Sequence, residues 1–335
     1  MTPGAERVLA GLRQAGNRSC SGQSLSDELG VSRNQVWKHV QALRRRGYGI
    51  EGEPGGGYRL VETPDRLYPE EIAAHLETTW IARSVEYFDE TESTNTLAFE
   101  RGREGAPAGH TVIAERQTAG RGRLGRSFYS PPYLNLYASI LLRPTLPISD
   151  APTLIHATAV GCANAIAETL SDSTSIEIKW PNDILVGGLK TCGILMEMSA
   201  EATHLDFAIL GIGVNLNVDR EDFPDEFRHR ATSLRTHSGA RVNRIRFAQT
   251  LFRELETCLE RHTAGGFEAL RGDYEGLFRM TGREVRVLDL GGGERAGTVL
   301  GIANDGALLL ESSPGHQERI VAGDVTLAKA EFSHE

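Results

Sequence analysis

Gln117-Thr-Ala-Gly-Arg-Gly-Arg-Leu-Gly-Arg126 sets three glycines (Gly120, Gly122, Gly125) between three arginines (Arg121, Arg123, Arg126). Glycine lets the backbone take positive φ and approach a guest closely. Arginine presents a planar, permanently charged fork that matches carboxylate and phosphate oxygens. The apolar stretches on either side, Thr111-Val-Ile-Ala-Glu115 and Leu134 to Leu142, read as strands, so the segment is a loop between them. It is basic in a chain of formal net charge −9, which points to an anion as its guest. Taken alone, such a repeat is as readily an exposed nucleic-acid patch or a linker.

A second stretch narrows the choice. Ile176-Glu-Ile-Lys-Trp-Pro-Asn-Asp-Ile-Leu-Val186 reads as two strands meeting at Pro181-Asn182-Asp183, with Gly187-Gly188 as the next hairpin turn. Lys190 and the strand Gly193 to Met198 follow, then a strand from Leu205 to Asn217. Of 36 Lys and Arg only four are lysine (Lys38, Lys179, Lys190, Lys329), and two of those fall eleven residues apart here. An ammonium is a compact point charge that a guanidinium fork does not replace. Asp183 also reads simply as a turn residue after Pro181.

The 335 residues suffice for two or three domains. Residues 1–62 carry nine Lys and Arg against six Asp and Glu, a net of +3, whereas the remainder carries −12. A basic head on an acidic body suggests nucleic acid for the head alone. Its spacing predicts a helix over 5–16, a second opened by Ser24-Leu-Ser-Asp27 and stopped by Gly30, and a third opened by Ser32-Arg-Asn-Gln35. Alternating segments around Pro54-Gly55-Gly56 complete a winged helix-turn-helix. On the third helix Arg33, Asn34, Trp37, Lys38 and Gln41 point away from Val36, Val40 and Leu43 and are the candidate DNA-binding residues. A solvated basic face is the plain alternative.

In the body, Val85 to Phe88 is an expected strand, and Glu92-Ser93-Thr94-Asn95 is expected to cap a helix to about Arg101. On motif content alone that cap explains Ser93, Thr94 and Asn95. Ala-rich 150–170 and amphipathic 246–262 are helices, and short alternating strands from about Thr281 predict a small separate β-barrel. Gly211-Ile-Gly-Val-Asn-Leu-Asn217 does not open a helix, and no GxxxxGK[ST] occurs, so neither a dinucleotide fold nor a P-loop is expected. Four scattered cysteines, ten histidines without a ligand spacing and an N-terminus without a secretory signal favour a cytoplasmic protein with no membrane span. No metal site is firmly expected.

Gly120-Arg-Gly-Arg-Leu-Gly-Arg126, Lys179-Trp-Pro-Asn-Asp183, Lys190, Ser93-Thr-Asn95 and Gly213-Val-Asn215 together resemble the motifs of the bifunctional biotin protein ligases, which double as biotin operon repressors. The resemblance covers nearly the whole chain. It implies an α+β protein: a winged helix-turn-helix over 1–63, a central mixed β-sheet with helices that binds biotin and ATP over 64–277, and a small SH3-like β-barrel over 278–335. It implies activation of biotin by MgATP to biotinyl-5′-adenylate. Transfer then follows to a lysine of a partner, the biotin carboxyl carrier protein of acetyl-CoA carboxylase. It further implies repression at operator DNA and a ligand-promoted homodimer.

By the same resemblance Lys190, Arg121 and Arg123 are catalytic. Ser93, Thr94, Asn95, Gln117, Arg121, Gly122, Arg123 and Lys190 bind biotin. Arg123, Arg126, Asn182, Asp183 and Asn215 bind ATP, with Asp183 near Mg2+. The charges fit independently: a carboxylate and a triphosphate repel, and gathered cations bring them together. Phe128 stands where the family often has Trp. A ligand-sensing transcription factor with a spent site, or a lipoate or octanoate ligase of the same fold, are the alternatives.

Overall fold

Thr2 accepts the Ala5 amide and Pro3 supplies the first helical φ, so the chain opens directly into α1 (Pro3–Ala15), which buries Val8, Leu9 and Leu12. In this computed structural model, residues 1–53, 57–170, 175–201, 204–288 and 293–327 are described, and the chain divides into two compact units, Met1–Arg66 and Leu67–Glu335. In the first unit α2 (Gly22–Leu29) is capped by Ser21, whose hydroxyl accepts Ser24 N–H at 2.9 Å. The helix thus begins three residues before the expected Ser24 cap, because Ser21 takes the free amide first. Gly30 ends it at φ 65°.

Ser32 and Gln35 form a reciprocal capping box that starts α3 (Arg33–Arg45), and Val36, Val40 and Leu43 are buried as the periodicity requires. Arg33, Asn34, Trp37 and Lys38 are exposed and Gln41 is half-buried; the Trp37 side chain is left 50% exposed. Arg44 is spent differently: its Nε and Nη2 donate to the Ile50 carbonyl at 3.0 and 2.7 Å, tying α3 to the wing. The wing is β1 (Gly49–Glu53) paired antiparallel with β2 (Gly57–Glu62). Its expected turn at Pro54-Gly55-Gly56 lies outside the described residues.

The second unit runs α4 (Pro69–Ala73), β3 (Val85–Phe88), α5 (Thr94–Arg103), β4 (Thr111–Ala114), β5 (Leu136–Leu142), α6 (Thr153–Thr169), β6 (Ile176–Lys179), β7 (Asp183–Val186), β8 (Leu189–Glu201) and β9 (His204–Val214). Then come α7 (Asp225–Arg228), α8 (Leu234–Ser238), α9 (Arg244–Gly265), α10 (Arg271–Leu277) and strands β10 (Glu284–Leu288), β11 (Glu294–Ile302), β12 (Leu308–Ser313), β13 (His316–Ile320) and β14 (Asp324–Leu327). A seven-stranded mixed sheet has the order β3-β4-β5-β9-β8-β7-β6, with only β3 and β4 parallel.

Side chains alternate across a strand, so parity sorts the sheet into two faces. Leu136, Ala138 and Ile140 of β5, Ile194 of β8 and Leu210, Ile212 and Val214 of β9 share one core with α6 and α9. The small residues of α6 let those helices approach: a Cβ on Gly161 would lie 3.1 Å from Leu255. On the opposite face Val112, Leu141, Phe207 and Ile209 pack with Ala98 of α5. Beyond α5 that face carries Tyr137, Ser139, Gly193, Leu195, Glu197, Gly211 and Gly213, with three glycines where packing residues would otherwise stand.

The C-terminal strands form an antiparallel sheet, β13-β12-β11-β10-β14. No hydrogen-bonded ladder closes it among the described residues, so the expected barrel is an open sheet in its pairing. The strand expected at Ile320-Val321 ends at Ile320, and Val321 is 63% exposed. β14, which lacks the length to stand out in the sequence, pairs with β10 instead. Nor is the sheet separate: Val285, Val299, Leu308 and Leu310 belong to the main core. Trp180 Nε1 donates to the Gly306 carbonyl at 2.9 Å. No helix of the described residues is long and apolar enough to cross a membrane.

Arg244, first residue of α9, pairs with Glu115 at 2.6 Å, and both side chains have no solvent exposure. Glu115 directly follows β4, and Asn135, whose carbonyl accepts from Arg244 at 3.1 Å, directly precedes β5. One guanidinium therefore holds both ends of the loop 116–134. Glu115 also accepts the Leu67 amide at 2.9 Å and the Tyr87 hydroxyl at 3.3 Å. Removing one member strands the other charge; replacing both with apolar groups does not.

Arg244→Met is expected to cost about 3–5 kcal/mol of unfolding free energy, with most of it recovered in Glu115→Leu/Arg244→Met. In that double variant trypsin should still cut at Arg121, Arg123 and Arg126 faster than in the parent. Chemical denaturation and timed digestion check both.

His156 predicts an acid dependence. It is buried against Phe267 and Tyr274, its Nδ1–H donates to the Pro152 carbonyl at 3.2 Å, and burial lowers its pKa to about 4. As pH falls from about 6.5 to about 4 the unfolded chain binds a proton that the folded chain refuses, so stability falls by roughly 3 kcal/mol. His262, also lowered by burial, adds in the same direction. His156→Leu is expected to show a shallower loss over that range by urea unfolding.

Candidate active site

Strand register builds the floor of a slot. Gly193 on β8 faces Gly213 on β9, and Gly211 lies between Leu195 and Ser139 of the flanking strands. A Cβ at Gly213 would meet the Phe128 ring at 2.6 Å, and one at Gly211 would meet Asn95 Oδ1 at 2.0 Å. The glycines thus allow an aromatic ring and an amide to rest directly on the backbone. Phe128, with Tyr137 edge-on at 6.3 Å, occupies the middle of this face.

One end is neutral and polar. Gln117 Oε1 accepts the Thr94 backbone N–H at 2.9 Å and lies 3.1 Å from Thr94 Oγ1; its Nε2 donates to Ser130 at 3.3 Å. Ser139 Oγ lies 2.7 Å from Thr94 Oγ1 and 2.6 Å from Asn95 Oδ1. Asn95 Nδ2 donates to Glu197 at 2.8 Å, and Arg121 donates to the same carboxylate oxygen at 3.0 Å and to Thr96 at 3.1 Å. The helix-cap reading of this motif fails. Ser93 stands at the N-cap position of α5 but makes no side-chain capping bond, and Ser93, Thr94 and Asn95 are all buried.

The other end is charged. Lys190 Nζ is 2.6 Å from Asp183 Oδ1, and the Lys190 backbone is clamped by Arg230 O and Thr232 N–H, each at 2.9 Å. Asn182 Nδ2 donates to Ile194 O at 2.6 Å, and its Oδ1 is 3.5 Å from Arg123 Nη1. Burial lowers the pKa of Arg123, against the pull of Asp324 and Asp183. Asn215 is held by Asn135 at 3.3 Å. Two residues along β9 and one step across put the backbone under Asn95, at Gly211, roughly 8 Å from Gly193, whose Cβ would lie 3.1 Å from Lys190 Nζ. The slot therefore suits an elongated guest with a polar head, an apolar middle and an anionic tail.

The glycine-arginine loop does not deliver its three cations to one place. Arg123 joins Lys190, Asn182 and Asp183; Arg121 goes to Glu197 at the polar end; Arg126 pairs with Asp324 of β14. Gly122 N–H closes the loop on itself by donating to Arg126 O at 2.7 Å. Leu124, with φ 55°, takes the left-handed conformation expected of the glycines, of which Gly125 shares it at 73°. Sequence reading passed over Ser139, Glu197 and Asp324. A carboxylate in the strand Gly193 to Met198 and a hydroxyl inside Leu136-Tyr-Ala-Ser-Ile-Leu-Leu142 were the available signals.

Comparison with known families matches residues 87–215 to the Biotin/lipoate A/B protein ligase family, 5–59 to an HTH domain and 281–327 to the Biotin protein ligase C terminal domain. The chain is 38% identical over 314 residues to the Bifunctional ligase/repressor BirA of Bacillus subtilis, covering 94% of this chain and 95% of that one. It is 32% identical over 246 residues to the Biotin–[acetyl-CoA-carboxylase] ligase of Mycobacterium tuberculosis, 72% and 88% of the two chains. A biotin protein ligase from Aquifex aeolicus, solved with biotin and ATP, superimposes with a TM-score of 0.62 at 28% identity, covering 73% of this chain and 99% of that one. On the slot, the helix-turn-helix head and these likenesses together, the chain belongs to the biotin protein ligase family.

Proposed function

We propose that the slot binds biotin head-first, with its ring system at Thr94, Asn95 and Gln117 and its carboxylate at Lys190. The observation that carries this reading is a hydrogen-bonding cluster at Thr94, Asn95 and Gln117 set roughly 8 Å along one sheet face from the Lys190 ammonium. The Phe128 ring rests on Gly213 in the free protein and moves aside to let the hydrocarbon chain lie against Gly193 and Gly213. Lys190 exchanges Asp183 for the carboxylate, which frees Asp183; Asp183 and Asn182 would then face MgATP, where the metal would take most of its ligands from water and phosphate. Arg123 and Lys190 neutralise the approach of the two anions.

A biotin carboxylate oxygen attacks the α-phosphorus and pyrophosphate leaves. The amine of a carrier lysine then attacks the acyl carbon, losing a proton as AMP departs. Lys190 stabilises charge in the first step and serves as neither acid nor base. Arg121, Gly122, Arg126, Ser93 and Asn215 complete the binding roles, the two arginines after leaving Glu197 and Asp324. The acceptor we assign is the biotin carboxyl carrier protein of acetyl-CoA carboxylase, in line with the name of the M. tuberculosis relative.

We assign the division 1–63, 64–277 and 278–335 to operator binding, catalysis and a third domain. The three-residue link between the edge strands β13 and β14 supports an SH3-like curl for that domain. Four unbonded thiols accord with a cytoplasmic setting. A homodimer promoted by the adenylate is part of the same reading.

Lys190→Ala should lower kcat/KM for adenylate formation roughly 100-fold, read as pyrophosphate release with biotin and MgATP; an unchanged rate would remove Lys190 from the mechanism. Excess lipoate should leave the parent rate unaltered. For the head, Arg33→Ala/Lys38→Ala is expected to reduce the slope of log affinity against log salt on a mixed-sequence duplex by about two, one per lost phosphate contact, while ligation is retained.

A further inference from the structure

Phe128 stands where the hydrocarbon chain of the guest has to lie. It belongs to a short hairpin over 120–128, in which Gly120 O accepts the Phe128 amide at 2.8 Å and Arg126 O accepts the Gly122 amide at 2.7 Å. A Cβ on Gly213 would meet the Phe128 ring at 2.6 Å and one on Gly193 at 3.3 Å. The ring thus covers both glycines, and the guest is admitted when the hairpin lifts. The tip offers little resistance. Leu124 is 44% exposed and left-handed at φ 55°, and Arg126 and Ser127 are exposed as well. The incoming arm is held by Arg121 at Glu197. The outgoing arm is held by two side chains two residues apart, which an extended backbone sets on one side: Phe128 on the glycines and Arg126 on Asp324. Asp324 is firmly mounted. It opens β14, opposite Leu288 of β10, and a Cβ on Gly323 would lie 2.9 Å from the Leu288 carbonyl. Its carboxylate also pulls on Arg123.

We propose that Arg126 and Asp324 form an ionic latch that holds Phe128 over the slot, so that Asp324 is a positioning residue limiting the entry of the guest. The inference rests on the slot being the biotin site. The fixed end of the latch lies on the C-terminal sheet and its moving end on the hairpin, which gives that sheet control over access to the slot. With a hydrocarbon chain against Gly193 and Gly213 the ring has no place to return to. Arg126 leaves with the same arm, and the latch stays open until the guest departs. Arg126 is 59% and Asp324 27% exposed, so the pair is worth a factor of roughly two to five in the balance between shut and lifted hairpin. A stronger pair would shut the site; this one slows it.

The test is the rate at which the full chain takes up radiolabelled biotin without nucleotide, followed by rapid filtration. Asp324→Asn should raise the association rate constant roughly two- to fivefold and leave the dissociation rate unchanged. Arg126→Gln should give the same rise, and Asp324→Asn/Arg126→Gln no more than either alone, because each removes the same contact. The two single variants change the net charge in opposite directions. A general attraction of the biotin anion would therefore speed Asp324→Asn and slow Arg126→Gln, and that outcome overturns the latch. At about 1 M salt, where the Debye length is about 3 Å, the rates of parent and variants should converge. An unchanged rate in Asp324→Asn at low salt also overturns the proposal. If Asp324→Asn does not fold, Arg126→Gln decides by the direction of its change. A parent that retains no labelled biotin would instead reject the assignment of the slot.

Discussion

The ion pair between Arg244 and Glu115 is the constraint on which the site depends. Burying two charges costs several kcal/mol each and is tolerated only when their remaining hydrogen-bonding capacity is used. Here it is: Leu67, Tyr87 and Asn135 supply partners from three other parts of the chain. The start of the second unit, both ends of the glycine-arginine loop and the first turn of α9 therefore converge on one point. Asn135 passes the constraint on by accepting the Leu216 amide at 2.9 Å and holding Asn215. A loop of nineteen residues can then move at its tip while its stems, and with them Gln117, stay in register with the sheet.

The second constraint is steric. A sheet with one face against two helices needs side chains on that face and is free to omit them on the other. Gly193, Gly211 and Gly213 use that freedom, and each glycine on β9 is filled by a specific neighbour, Asn95 or Phe128. The chemistry of this face is thus decided at its two ends. The cations are not bare: Lys190, Arg121 and Arg126 each hold a carboxylate of the protein. Such pairs keep like charges from repelling one another in the free protein.

The C-terminal sheet is part of the same machine by packing rather than by motif. Trp180 spans from the turn before β7 to Gly306, and Asp324 reaches Arg126. The residues that bracket Asn182 and Asp183 are thus set by a sheet more than a hundred residues away in sequence.

Periodicity alone was enough to place the helices of the head, the Ala-rich α6, the amphipathic α9 and most strands, because apolar residues at helical or alternating spacing have one way to be buried. The two anion motifs were legible because glycine, arginine and an isolated lysine are chemically conspicuous. Tertiary structure alone decided where their charges went. Arg121, Arg123 and Arg126 lie within six residues, yet strand register and neighbouring carboxylates send Arg121 to Glu197 and leave Arg123 and Arg126 near Asp324. Ser139 and Glu197 were hidden because a hydroxyl or carboxylate in a strand acquires its meaning only from the strand beside it. The Arg244–Glu115 pair was hidden because an ion pair across 129 residues has no local signature.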